Sequence, residues 1–184
     1  MAGWKDKRRV MHRYDLTADM YEERYTEEQR AKYRAALKNV NVGGGVVLDV
    51  GCGTGLFFSQ VAAQVSMVVG VDFSRKPVLK AKDEAKKLSN VFVLRADADR
   101  LPFTEGFFDA VFAFTVLQNM PNPSETLHEL ERVAKLGGSV VVTGLKKAFP
   151  LDVFIDVLEG TSLQVASFVN AEDLKCYVAV LVSR

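Results

Sequence analysis

The chain has 184 residues, 48% of them hydrophobic and 26% charged, which describes one globular domain with a sizeable core rather than a disordered segment. A net charge of +1 announces no polyanionic partner, two cysteines make no disulfide framework, and the two histidines lack zinc-ligand spacing, so no metal is expected. No run approaches the ~18–20 apolar residues of a membrane span, and the basic start lacks an apolar signal core, so the expected location is cytoplasmic and no membrane contact is expected.

The chain opens on Lys5, Lys7, Arg8, Arg9 and Arg13 against one acid, Asp6. Two readings stand: a solvated, partly disordered terminus, or an arm that touches phosphate. Residues 14–40 read as two helical pieces. Thr26 and Gln29 form a capping box that starts the second piece near Glu27. The first piece carries Tyr14, Tyr21 and Tyr25, either as packing residues or as part of a substrate mouth. We treat 1–40 as a basic arm with helices, and 41–184 as the core.

Residues 46–50, Val-Val-Leu-Asp-Val, read as a buried parallel strand ending near an acid, Asp49. Gly51, Gly53 and Gly55 follow around Cys52, and residues 56–65 have helical composition. Strand, glycine turn and helix let backbone approach a ligand closely. The spacing departs from the dinucleotide fingerprint, because Leu56 stands where its third glycine would be. Asp49 would repel a pyrophosphate and welcome an amino group. Residues 67–71 form the next strand, ended by Asp72 about where an acid meets ribose hydroxyls in such units.

Ser74 is placed to cap a helix over residues 75–88, whose lysines lie on a solvated face. Residues 90–96 and 109–114 read as the third and fourth strands, with Asp97, Ala98 and a Leu-Pro-Phe step between them. After Phe114 comes the loop Thr115–Pro121. Asn122, Pro123 and Glu125 open a helix that Gly137 and Gly138 end, and His128 lies on its surface. Residues 139–145 form the fifth strand, 151–158 a helix, and 162–169 with 175–183 a closing hairpin. Strands alternating with helices predict a parallel sheet with right-handed crossovers.

Taken in order, Val47–Gly55, Asp97–Phe103 and Phe108–Val111 resemble the class I S-adenosylmethionine-dependent methyltransferases, over roughly residues 46–145. The resemblance implies a Rossmann-like, doubly wound α/β sheet of seven strands in three α/β/α layers, mostly parallel with an antiparallel last strand. It implies S-adenosylmethionine as cofactor. Asp49 and the backbone of Gly51, Cys52, Gly53 and Gly55 would serve its methionine end, and Asp72 its ribose. Phe73 would stack on adenine, Asp97 with Ala98 would read its amino edge, and Phe114 would border the same site. The early helical segment would lie over the cofactor, with Tyr21 the tyrosine expected to have a role.

Methyl transfer from a sulfonium is an in-line displacement, so the protein mainly positions the acceptor and strips it of water. No triad is required. Gln118 and Asn119 occupy the place where enzymes of exocyclic amines carry an N/D/S-P-P-Y/F segment, and they depart from it. Their amide oxygens would orient an amine, and neither cysteine is placed for nucleophilic attack on a base. Arg13, Lys146 and Lys147 are expected to border one basic rim. The favoured reading is methylation of a base in ribosomal or transfer RNA, with a small activating protein subunit as a further partner. A small-molecule enzyme acting on a quinone or lipid precursor, a protein methyltransferase and a non-catalytic cofactor-binding partner remain open. An RNA enzyme should present an open basic rim; a small-molecule enzyme should present a closed apolar pocket.

Overall fold

The computed structural model describes residues 2–183, with side chains throughout except at residues 2 and 17–25. Its elements are α1 (Ala2–Leu37), β1 (Val46–Val50), α2 (Phe58–Val61), β2 (Met67–Asp72), α3 (Arg75–Ala85), β3 (Val91–Arg95), β4 (Phe108–Ala113), α4 (Pro123–Val133), β5 (Ala134–Leu145), α5 (Leu151–Glu159), β6 (Gln164–Val169) and β7 (Cys176–Val182). The strands form one seven-stranded sheet in the order β3-β2-β1-β4-β5-β7-β6. From β3 to β5 every pairing is parallel. β7 runs antiparallel to both β5 and β6. This is the doubly wound α/β sheet that the alternation of elements predicts.

Alternating side chains of each strand feed two cores. Leu48, Val111 and Val140 pack with Leu127 and Leu130 of α4 and Phe154 of α5. Val47, Val68 and Val141 pack with Tyr33 of α1, Phe58 of α2 and Ala81 of α3. The three layers follow from that division. The chain order reverses between β1 and β4, whose neighbours lie on opposite sides. The crevice beyond their carboxyl ends is where open α/β sheets hold ligands.

Several boundaries differ from the sequence reading, each for a tertiary reason. Residues 2–37 make one helix, not an arm and two pieces: after Gly3 no glycine or proline interrupts them up to Leu37, and Thr26 sits inside the helix. The basic start is ordered because acids elsewhere in the fold receive it: Lys7 Nζ lies 2.6 Å from Asp97 Oδ1 and 2.5 Å from Asp99 Oδ2. The second helix shrinks to Phe58–Val61 and a 3-10 turn, Ala62–Gln64. Asn90 Nδ2 donates to the Ala62 and Val65 carbonyls at 2.9 Å each, closing the helix early.

α3 ends at Ala85, and the Ser74 side chain makes no capping bond. Asp15 of α1 caps it instead, accepting from Lys76 N at 2.9 Å. Asn122 caps α4 as expected, accepting from Glu125 N. Gly137 and Gly138 lie within β5 rather than at a helix end: Gly137 N donates to Ser183 O, and Ser183 N to Gly138 O.

Phe58 shows how tightly the second core is built. It is fully buried, and a Cβ on Gly70 would lie 2.5 Å from its ring while one on Gly55 would lie 2.7 Å from it. Glycine is therefore required by close approach at both positions. Gly70→Ala is expected to lower the unfolding free energy by about 1–3 kcal/mol, the usual cost of overpacking a core. Chemical denaturation would read this as a lower midpoint with an unchanged slope.

Candidate active site

A cavity opens at the carboxyl ends of β1, β2, β3 and β4 and is covered by α1. It is lined by Lys7, Val10, Met11 and Tyr14 from α1 and by Val50, Gly51, Gly53 and Thr54 after β1. Val71, Asp72, Phe73, Ser74 and Pro77 line it after β2, and Ala96, Asp97 and Ala98 after β3. Phe114, Thr115, Val116, Asn119 and Met120 complete it after β4. The fold thus gathers Gly51, Gly53, Asp72, Phe73, Asp97, Ala98, Phe114 and Asn119 around one space. They come from four separate stretches of chain.

The glycine turn is built by its left-handed residues. Gly51 has φ 70° and Gly53 φ 55°, conformations that side chains resist. A Cβ on Gly51 would also lie 2.5 Å from Val116 Cγ2. The amides of the turn are taken internally. Gly51 N and Cys52 N both donate to Val71 O, Gly55 N to Cys52 O, and Gly53 N to Asp72 Oδ2 at 3.0 Å. The turn offers a ligand closeness of approach rather than its glycine N–H groups. The second Asp72 oxygen accepts from Ser74 N at 2.7 Å. Each carboxylate oxygen keeps a lone pair, so Asp72 retains capacity for hydroxyl donors.

Asp49 is 2% exposed, and its Oδ2 has no hydrogen-bond partner. Burial, and then the nearby Asp72 carboxylate, hold its pKa well above the ordinary 3.8. Thr54 Oγ1, beside the same turn, is likewise buried without a partner. A cationic amino group relieves an uncompensated buried acid, whereas a pyrophosphate aggravates it. Phe73 lies between Trp4, edge-on at 5.5 Å, and Arg95 at 5.8 Å. Asp97 accepts from Lys7 Nζ through both oxygens, at 2.6 and 2.8 Å. Asp72, Phe73 and Asp97 line the cavity where they would meet the ribose and adenine of S-adenosylmethionine; the orphaned Asp49 oxygen has the chemistry for its amino group, but Asp49 is buried and is not on the cavity lining.

The remaining expected site residues stand elsewhere or are otherwise engaged. Cys52 is buried, its thiol pushed well up by burial and then by Asp49 and Asp72, and it lines no part of the cavity. Gly55 faces Phe58 and Ala81 and serves packing. Gln118 lies off the lining, with a buried, partnerless Oε1. Asn119 lines the cavity, but its Oδ1 accepts from Arg13 at 2.8 Å and its Nδ2 donates to Thr115 O and Tyr14 Oη. It ties α1 to the loop after β4.

Arg13 therefore points to Asn119. Lys146 Nζ donates to Ala171 O at 2.6 Å and stands 5.7 Å over Tyr177. Lys147 is exposed. None of these three except through Asn119 reaches the cavity, because nearer internal acceptors claim the first two. Tyr21 lies outside the described side chains. Sequence reasoning missed Lys7, Met11 and Thr115 as cavity residues. Lys7 was visible only as one of several basic residues, since its acids lie about ninety positions away. Among the described residues no group of three or more His, Cys, Asp or Glu is placed to hold a metal, and no helix is long and apolar enough to cross a membrane.

Residues 48–142 match the family model described as a methyltransferase domain. The chain belongs to the class I S-adenosylmethionine-dependent methyltransferases. It is similar to a demethylmenaquinone methyltransferase of Staphylococcus saprophyticus, 35% identical over 119 residues, covering 62% of this chain and 51% of that protein. It is also similar to a phosphatidylethanolamine N-methyltransferase of Cereibacter sphaeroides, 33% identical over 126 residues, covering 67% of this chain and 62% of that protein. The chain thus spans about half to three fifths of these relatives' length. Its fold is that of a SAM-dependent methyltransferase from Aquifex aeolicus, with TM-score 0.81, 20% identity and coverage of 92% and 98% of the two chains. It is also that of a Haloferax volcanii putative methyltransferase complexed with the Trm112 activator, with TM-score 0.76, 17% identity and coverage of 92% and 97%.

Asp49 ties the site to stability. A carboxyl whose folded-state pKa is raised destabilises the fold once the unfolded chain ionises. That penalty is absent below the ordinary 3.8 and grows with pH until the folded-state value is passed. Asp49→Asn should therefore raise the melting temperature of the ligand-free protein at pH 7, with the gain shrinking toward zero as pH approaches 4. Calorimetry on the same variant should show weakened S-adenosylhomocysteine binding. A gain independent of pH would mean that the buried charge is not its source.

Proposed function

We propose that this chain transfers a methyl group from S-adenosylmethionine to a small, largely apolar acceptor. The observation that carries this reading is the cover over the cavity. α1 contributes Val10, Met11 and Tyr14 to its lining, together with Phe114, Val116 and Met120 after β4. An acceptor entering there meets hydrocarbon and aromatic surface, which strips water from the nucleophile before the in-line displacement. The cofactor supplies the electrophilic methyl. Relatives named for methylating demethylmenaquinone and phosphatidylethanolamine lie in the same direction.

The RNA reading asks for cations turned outward around an open mouth. Lys7, Arg13 and Lys146 are instead engaged by Asp97, Asn119 and Ala171, which leaves Lys5, Arg8, Arg9 and Lys147 as the exposed cations of the arm and rim, none of them on the cavity lining. The exocyclic-amine step assigned to Gln118 and Asn119 loses its support too, because the Asn119 amide is engaged and Gln118 is off the cavity. A small activating subunit remains compatible with the fold, since one similar structure is a complex with the Trm112 activator.

The test is transfer of tritiated methyl groups from S-adenosylmethionine into an extract of cells lacking this protein, followed by separation of lipid, RNA and protein. Label is expected in the organic-soluble fraction. Met11→Lys, which places a charge in the apolar cover, should reduce that labelling at least tenfold. Label confined to RNA would reverse the choice of substrate, and digestion to nucleosides would then identify the base.

A further inference from the structure

Among the described residues, Thr115 is the one residue other than glycine with a positive φ, at 64°. For a β-branched side chain this is a costly conformation, one that glycine adopts without strain. Three hydrogen bonds hold it there. Its N–H donates to Thr143 Oγ1 at 2.7 Å, and its carbonyl accepts from Asn119 Nδ2 at 2.8 Å. Its hydroxyl oxygen accepts from Lys32 Nζ at 3.2 Å. Lys32 is itself 1% exposed and reaches this point from α1 while paired with Glu28 at 2.9 Å.

An ammonium group only donates, so the Thr115 hydroxyl oxygen is the acceptor in that bond and its own hydrogen turns away. Thr115 lines the cavity, and among the described residues no protein oxygen takes that hydrogen. The Lys32 ammonium, 1% exposed, stands directly behind the hydroxyl and polarises it, while its partner Glu28 is also engaged by Lys175. A half-buried donor backed by a buried ammonium, facing a largely apolar cavity, favours an oxygen that carries negative charge.

We propose that Thr115 is a binding residue that donates to an anionic oxygen in the cavity, and that Lys32 is the positioning residue that aims its hydroxyl. The strain at Thr115 is then retained because glycine, which suits the backbone better, has no hydroxyl. Two ligands carry such an oxygen. One is an ionised acceptor, an enolate or phenolate, which rests on the small-acceptor reading above. The other is the carboxylate at the amino-acid end of the cofactor.

Calorimetry on wild type, Thr115→Gly, Thr115→Ser and Lys32→Met distinguishes the two. Each protein is titrated with S-adenosylhomocysteine and with methylthioadenosine, which lacks the amino-acid end. Each is then saturated with S-adenosylhomocysteine and titrated with 2-hydroxy-1,4-naphthoquinone, ionised at neutral pH, and with uncharged 1,4-naphthoquinone. Thr115→Gly should fold at least as stably as wild type, because it relieves strain. It should bind one anionic ligand about tenfold or more weakly, the effect of losing a hydrogen bond to a charged oxygen, with its uncharged counterpart unchanged. Thr115→Ser should restore the affinity, and Lys32→Met should lose part of it.

A loss on S-adenosylhomocysteine but not methylthioadenosine assigns the oxygen to the cofactor. A loss on the ionised naphthoquinone alone assigns it to the acceptor. Equal losses on charged and uncharged ligands, or no loss on either anion, overturn the proposal. Failure of both naphthoquinones to bind wild type counts against the small-acceptor reading, and S-adenosylhomocysteine then decides Thr115 by itself.

Discussion

The Asp72 carboxylate is the joint on which the site depends. One oxygen accepts from Gly53 N and the other from Ser74 N, so a single anion ties the glycine turn after β1 to the start of α3 after β2. The two turns border the same crevice because β1 and β2 are neighbours in register, Val50 beside Val71. The crevice exists because β1 is also flanked by β4, which enters the sheet from the other half of the chain. Everything placed around the cavity refers back to this junction. The joint is also expensive. Asp72 is held above the ordinary carboxylate range mainly by burial, even though the two amides pull it down.

A second constraint is the cover. α1 is polar along much of its length, and among its described side chains few are buried. What seats its first half is a set of specific polar contacts with the sheet's carboxyl edge: Lys7 on Asp97 and Asp99, Arg13 on Asn119, and Asp15 on the start of α3. Its second half packs conventionally, with Tyr33 against Phe57 and Phe114 and with Ala36 fully buried. One helix thus anchors in the core at its carboxyl end and closes the cavity at its amino end. Polar contacts are modest individually, because each replaces a bond to water. The covering half is therefore held less firmly than the packed half, which suits a helix that ligands must pass.

Strain and buried charge concentrate on the side of the sheet where the cavity lies. Asp49 lacks a partner for one oxygen, Thr54 for its hydroxyl, and Thr115 keeps a left-handed backbone. Lys32 is fully buried with one carboxylate to neutralise it. The opposite edge, β7 against β5 and β6, is ordinary packing of Val178, Val180, Leu181 and their neighbours. A fold stabilised by its apolar layers tolerates such costs where a ligand is to be held.

Much of the site was legible in sequence, because its residues sit at the carboxyl ends of strands whose apolar runs are unmistakable. Val46–Val50, Met67–Asp72 and Phe108–Ala113 announce themselves by their apolar runs, and the glycine after the first and the acid that ends the second fall at the crevice. Glycine positions and strand-end acids are local signals, so Gly51, Gly53, Asp72 and Asp97 could be named without coordinates. The alternation of strands and helices likewise sufficed for a doubly wound sheet.

Only the tertiary structure decided where the basic residues turn. A lysine's partner is set by what the folded chain brings within about 3 Å of its tip, and a sequence does not state that distance. Lys7 meets Asp97, Arg13 meets Asn119 and Lys146 meets Ala171, so part of a cluster that read as an outward rim became fastening, while Lys5, Arg8, Arg9 and Lys147 stay exposed. Lys32 read as one more charge on a helix, yet it is buried against Thr115, eighty-three positions away. Local pattern determined the strands, the glycine turn and the strand-end acids. Long-range contact decided which polar groups face the cavity and which are consumed in closing it.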